Sequence, residues 1–246
     1  MGPLADPLGE GRRVAAAAAE EAIPLRLLGG VAIALRCPSS RAAPLKRGHA
    51  DIDCAIRGDS RDKTVEFLTA LGYEPDREFN TLHGQRRLYF WDRSNDRHLD
   101  VFVEEANLCH RILLRERIGV DAMTLSLADL TVLKLQVVET NEKDYIDICA
   151  LFADHELSED ESGINVSYIT NLAATDWGLW RTMGLVAGRS ERFARDLAGF
   201  AASERVAERL RRLQSDLDAA PKSRRWKLRA RVGERKRWYE LPEEVH

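Results

Sequence analysis

No run in this 246-residue chain approaches the roughly 20 consecutive apolar residues that a membrane-spanning helix needs. The N-terminal alanine stretch, Val14 to Ala22, carries Glu20 and Glu21, which the apolar segment of a secretory leader would not tolerate. These absences predict a soluble, cytoplasmic protein with no membrane partner. Cysteine is also scarce. Cys37, Cys54, Cys109 and Cys149 lie far apart with no C-x-x-C pair, which argues against a zinc knuckle or a disulfide framework and for reduced, mostly buried thiols. No internal repeat is visible, so a solenoid is excluded. What remains is 44% hydrophobic residues, enough to build the core of a single domain or of a small bipartite fold.

The net charge of -3 conceals an asymmetry. Arg205 to Trp238 holds thirteen Lys or Arg against four acids, a net of +9 that leaves -12 on the remainder. A basic end on an acidic body points to nucleic acid or another polyanion, or equally to a solvated helix face with a disordered end. Within it, Lys222-Ser223-Arg224-Arg225-Trp226-Lys227 and the later Trp238 mix cations with aromatics as RNA-contacting segments do.

Periodicity divides the chain. Gly9 to Ala22 predicts a helix, and Leu25 to Leu28 a short strand running into Gly29-Gly30 and a helix from Val31 to Arg36. Cys37 to Gly48, with two prolines and no period, is a loop; it carries Lys46, Arg47 and, just after it, His49, which either contact phosphate or are simply mobile. Ala50 to Ile56 alternates Ile52, Cys54 and Ile56 with Asp51, Asp53 and Ala55, and His98 to Val103 alternates in the same way, with Leu88 to Trp91 a further strand. Ser60 to Leu71 predicts a helix between them. From Ser126, where Ser126 and Asp129 suggest a capping box, the period becomes 3.6. Helices are predicted over Glu142–Phe152, Val166–Leu172, Trp177–Leu197 and Ala202–Leu217, with Glu156 to Gly163 an acidic linker. Trp177, Trp180 and Met183 fall at helical spacing and predict core rather than a base-stacking platform. The expected class is α+β: a mixed sheet with flanking helices over residues 1–125, an all-helical half over 126–220 and a basic tail over 221–246.

Two carboxylates two apart on one strand project from the same face. Asp51 and Asp53 do so amid residues that belong in a core, which costs desolvation unless a cation or water compensates. Asp100 lies on the polar face of a later strand, so pairing the two strands gathers three acids, a donor set suited to magnesium or manganese. Upstream, Gly29-Gly30 closes a strand and opens a helix, leaving backbone N–H groups and a positive dipole end for an anion such as a triphosphate; alone, such a pair is more often a tight turn.

Taken in order, Leu28-Gly29-Gly30-Val31-Ala32, Ala50-Asp51-Ile52-Asp53-Cys54 and His98-Leu99-Asp100-Val101 resemble the polymerase-beta-type nucleotidyltransferase superfamily. The likeness is to its small bacterial branches, the antibiotic nucleotidyltransferases and the AbiEii-like toxins. Asp129-Leu130-Thr131-Val132-Leu133-Lys134 and Lys143-Asp144-Tyr145-Ile146-Asp147-Ile148 resemble the post-catalytic helices of the AbiEii-like group, so that the resemblance spans about residues 25 to 155. It implies transfer of a nucleoside monophosphate from a nucleoside triphosphate such as ATP to a hydroxyl acceptor. RNA ranks ahead of a small molecule, protein comes third, and a toxin-like role would bring a cognate antitoxin. By the same resemblance Asp51, Asp53 and Asp100 are the catalytic metal ligands for two Mg²⁺ or Mn²⁺ ions, Asp100 also acting as or assisting the general base. Gly29, Gly30, Lys134 and Lys143 are then the nucleotide-binding residues, each lysine being equally an ordinary exposed helix residue. Many members have Ser after the first glycine, whereas Gly30 offers no hydroxyl.

Two other readings fit the same residues. His49 and His98 each lie two residues before an acid, which allows a mixed His/Asp site for zinc, manganese or iron in a hydrolase. A catalytically inactive nucleotide- or RNA-binding module of the same fold is the other.

Overall fold

Period-two patterning builds the first half of the chain and period-3.6 patterning the rest, as a computed structural model describing residues 2–241 makes plain. The fold is α+β, a five-stranded mixed sheet with flanking helices followed by a helical C-terminal half. The chain forms two units. The first comprises the N-terminal segment ending at Arg36 together with Gly48–Ala106 and Ile112–Ser126; the second comprises Cys37–Arg47, Asn107–Arg111 and the chain from Leu127 onward.

In the first unit, helix α1 (Pro7–Glu20) begins two residues ahead of the sequence expectation, because Asp6 caps it through Gly9 N at 2.7 Å and Pro7 fits the first turn. Strand β1 (Arg26–Leu28) feeds α2 (Gly29–Arg36), so the two glycines form the helix's first turn rather than a turn ahead of it. Strand β2 (Asp51–Ile56), helix α3 (Arg61–Ala70), the two-residue β3 (Glu74–Pro75), helix α4 (Arg77–His83), β4 (Arg87–Asp92) and β5 (Arg97–Val103) follow. Neither β3 nor α4 is expected from the sequence pattern. Asp76 caps α4, accepting from Phe79 N, but the helix buries no residue, so it has no apolar stripe to detect.

The strand order is β1-β2-β5-β4-β3, with β2 and β5 parallel and every other pair antiparallel. One sheet face holds Ile52, Cys54 and Ile56 of β2, Leu99 and Val101 of β5, and Leu88 and Phe90 of β4, all sealed from solvent. Helix α1 packs closely on α2: a side chain at Gly11 would meet Val31 Cγ1 at 2.8 Å, so glycine is needed there. Short strands β6 (Glu105–Asn107) and β7 (Arg111–Leu113) pair with each other.

The second unit stacks α5 (Leu127–Leu135), α6 (Glu142–Asp154), α7 (Val166–Thr175), α8 (Trp177–Asp196), α9 (Ser203–Ala219) and α10 (Arg224–Val232). A capping box stands at Asn141 and Asp144, where side chains and backbone N–H groups exchange bonds at the start of α6; the Ser126 hydroxyl accepts from Arg117. The expected acidic linker contains strand β8 (Leu157–Ser158), which pairs in parallel with β9 (Ile164–Asn165). Trp177 and Met183 are buried, as their spacing predicts, whereas Trp180 is only half-buried. All four cysteines are buried and none forms a disulfide, and burial pushes the Cys149 thiol up to about 12. Among the described residues no helix is long and apolar enough to cross a membrane.

The second unit also gathers four charges around the buried Asp147. Lys134 Nζ on α5 lies 2.8 Å from Asp144 and 2.8 Å from Asp147 on α6, and Arg47 grips both oxygens of Asp147 at 2.8 and 2.7 Å. Burial pushes the Asp147 carboxyl up, but Lys134 and Arg47 outweigh it and hold the group below the usual carboxylate range. Removing one partner strands a buried charge, so Asp147→Ala is expected to cost about 3 kcal/mol or more in urea unfolding. A group held low in the folded state stabilises fully above the ordinary carboxylate range and loses that contribution as pH falls through its depressed value. The difference between the parent and Asp147→Ala should therefore shrink when unfolding is repeated in increasingly acidic buffer. A constant difference would mean that the ion pairs are not its source.

Candidate active site

The second face of the sheet is chemically unlike the first. Parallel pairing of β2 with β5 sets Asp51 opposite His98 and Asp53 opposite Asp100. Antiparallel pairing of β5 with β4 then sets Tyr89 opposite Asp100, Trp91 opposite His98 and Arg87 opposite Phe102. Because side chains alternate, one face carries Asp51 and Asp53, then His98 and Asp100, then Arg87, Tyr89 and Trp91. The three acids expected from the sequence thus share one face of neighbouring strands.

Their surroundings differ. Asp51 is exposed, Asp53 half-buried and Asp100 only 8% exposed. Arg87 donates Nε to one oxygen of Asp100 at 2.7 Å and Nη2 to the other at 2.9 Å, a two-pronged charged contact. The ring of Phe102 lies 5.2 Å beneath the same guanidinium. Burial pushes the Asp100 carboxyl above its ordinary range, with the charge of Asp51 acting in the same direction and Arg87 opposing both. Burial and the nearby Asp100 charge together push the Tyr89 phenol up to about 12. Tyr89 Oη contacts His98 Nδ1, and the His98 ring packs on Trp91 with centroids 3.6 Å apart.

Gly29 stands at the head of this face, its register neighbour Leu28 lying opposite Asp53. Its φ of 67° is in the left-handed region, and a methyl on it would overlap the Asp53 carboxylate. Glycine is therefore required twice over, for the backbone and for the acid beside it. Arg87, Tyr89 and Trp91 are not among the site residues expected from the sequence, although Tyr89 and Trp91 lie in the expected strand Leu88–Trp91 and Arg87 stands one residue ahead of it.

Lys134 and Lys143 are both in the second unit, Lys134 within the four-charge cluster and Lys143 exposed on α6. Arg47 belongs to that cluster too. His49 precedes β2, and His98 contacts Tyr89 and Trp91. Among the described residues no three His, Cys, Asp or Glu side chains are gathered closely enough to hold a metal ion as they stand.

The basic end folds. Ser223 caps α10, Trp226 packs edge-on against Trp180 at 5.1 Å, and Arg229 covers Trp177 at 4.7 Å. Trp238 returns to donate its indole N–H to Thr182 at 3.1 Å. The aromatics of this segment thus serve packing, while Arg224, Arg225, Lys227, Arg231, Arg235 and Lys236 face solvent.

No known protein family matches the chain, and no curated protein matches it. Among solved structures, it is similar to the solution structure of antibiotic-resistance factor ANT(2″)-Ia at 16% identity, covering 68% of this chain and 92% of that one with a TM-score of 0.38. No residue role is carried across at that distance.

Gly199, with φ 73° and open space around it, separates the two demands on Gly29. Gly199→Ala should cost only the left-handed backbone penalty, about 1 kcal/mol, whereas Gly29→Ala should cost distinctly more in urea unfolding because Asp53 must move. Equal losses would show that the carboxylate does not crowd the glycine.

Proposed function

We propose that this chain is a nucleotidyltransferase that moves a nucleoside monophosphate from a nucleoside triphosphate, ATP among them, to a hydroxyl acceptor. The observation that carries the reading is the register that sets Asp53 opposite Asp100, with Asp51 on the same face and the Gly29 backbone packed against Asp53. Burying Asp100 beside two further acids costs desolvation, so stability alone does not explain three carboxylates on one sheet face.

The donor chemistry of Asp51 and Asp53, oxygen only, fits one hard divalent ion, Mg²⁺ or Mn²⁺. Asp100, the third member of the expected ligand set, has both oxygens held by Arg87, so a two-ion arrangement fits less well. A divalent ion bound at Asp51 and Asp53 supplies Lewis-acid stabilisation of charge on the α-phosphate. Gly29 and Gly30, in the first turn of α2, offer backbone N–H groups that lack intrahelical partners and so receive the phosphates. Asp100 takes the proton of the acceptor hydroxyl as that oxygen bonds to the α-phosphorus; the bond to the bridging oxygen breaks and pyrophosphate leaves with the electron pair. Burial, which raises Asp100's proton affinity, suits it to that task. Of the two expected nucleotide-binding lysines, Lys134 holds α5 to α6 and Lys143 is exposed on α6.

RNA is the first-ranked acceptor, supported by the exposed cations of α10 and the segment after it. A small hydroxylated molecule ranks next. A toxin-like role restrained by a cognate antitoxin extends the same proposal.

Incubation with α-labelled nucleoside triphosphates, Mg²⁺ and cell extract should place label on RNA. Asp51→Ala should reduce transfer by about a hundredfold or more, while His49→Ala and His98→Ala should leave it largely intact. Loss with the histidine changes would favour the hydrolase, and no label on RNA, protein or small molecules would leave a binding module. Changing Arg224, Arg225 and Lys227 together to Gln should weaken binding to single-stranded RNA and lower its salt slope by about 0.7 per cation that contacts phosphate. An unchanged slope would remove the support for RNA.

A further inference from the structure

The contact between Arg87 and Asp100 bears on how many ions the polar face accepts. Asp51, Asp53 and Asp100 bring three carboxylates to it, and Arg87 binds both oxygens of Asp100. The guanidinium is not a passing surface contact. Its two donors match the two oxygens of Asp100 at 2.7 and 2.9 Å, the carboxylate side chain is 11% exposed and the Arg87 side chain 25%, and Phe102 supports the guanidinium from below. A planar fork of fixed geometry on a largely buried carboxylate competes well with a hydrated cation that must shed water to bind.

We infer that Arg87 occupies the electrostatic place of a second metal ion, so that this chain binds one divalent ion per molecule, on Asp51 and Asp53, where a bare cluster of three acids would take two. The inference rests on the nucleotidyltransferase reading of the face and sharpens it: Asp100 acts from beside a fixed arginine rather than from a metal. Arg87 is then a positioning residue, built into the strand next to the acids. Its charge is present at every stage, whereas an ion's place depends on concentration. The arrangement also makes metal dependence simple, with one saturable site.

The test counts Mn²⁺ bound to the full chain, by the electron paramagnetic resonance signal of free Mn²⁺ and by calorimetry, without nucleotide. The unsubstituted protein should bind one ion, lost in Asp53→Asn. Arg87→Gln, checked for folding by its circular dichroism and melting temperature, should bind two. Arg87→Gln combined with Asp100→Asn should return to one, and Arg87→Lys, which retains the charge, should remain at one. Two ions in the unsubstituted protein overturn the inference, and do so even if Arg87→Gln does not fold. One ion in both the unsubstituted protein and folded Arg87→Gln overturns the role of Arg87 while leaving the proposed reaction standing. No ion in any of these proteins overturns both.

Discussion

The parallel pairing of β2 with β5 is the constraint on which the polar face depends. A one-residue slip between these strands would turn every side chain of one of them to the other side of the sheet. Asp100 would then enter a layer formed by Ile52, Cys54, Leu88 and Phe90, and Val101 would take its place beside Asp53. The register is held by the apolar layer itself, since Ile52, Cys54 and Ile56 must lie against Leu99, Val101 and Val103 to stay dry. The arrangement of the acids is thus a by-product of core packing on the opposite face, and a stable core guarantees it.

Much of this is legible in the residues. Alternation across Asp51–Ile56 and Arg97–Val103 reveals both strands, because the acids fall on one parity and Ile52, Cys54, Ile56, Leu99, Val101 and Val103 on the other. It does not reveal whether the strands pair directly or in which direction, since the order of β1 to β5 in the sheet is not their order in the chain. Arg87 escapes because a cation at the start of a strand reads as a solvated end; only the pairing of β4 with β5 shows that it meets Asp100. Helix α4 escapes because it has no buried stripe, and the capping box at Asn141 and Asp144 is a second one that the pattern does not single out.

The basic end carries a different lesson. Composition allows either a disordered extension or an RNA-contacting mixture of cations and rings. The rings of Trp226 and Trp238 instead pack on Trp180 and Trp177, which fixes the backbone and leaves the cations outward. Lys134 is similar in kind: on a mostly apolar helix its charge is balanced by two aspartates of the next helix, one of which it shares with an arginine from a distant loop. In both places, partners far away in sequence decide what a charged or aromatic residue does.

That distance has a consequence for how the protein is made. Arg47 leaves the ribosome a hundred residues before Asp147, its partner. The segment Cys37–Arg47 belongs with helices that have not yet been synthesised, while the chain on either side of it already has its sheet partners to hand. During translation the first unit must therefore assemble with this segment looped out and waiting. Any event that delays the second half, such as a pause or a truncation, leaves an early piece of the chain without the surface it was built to cover.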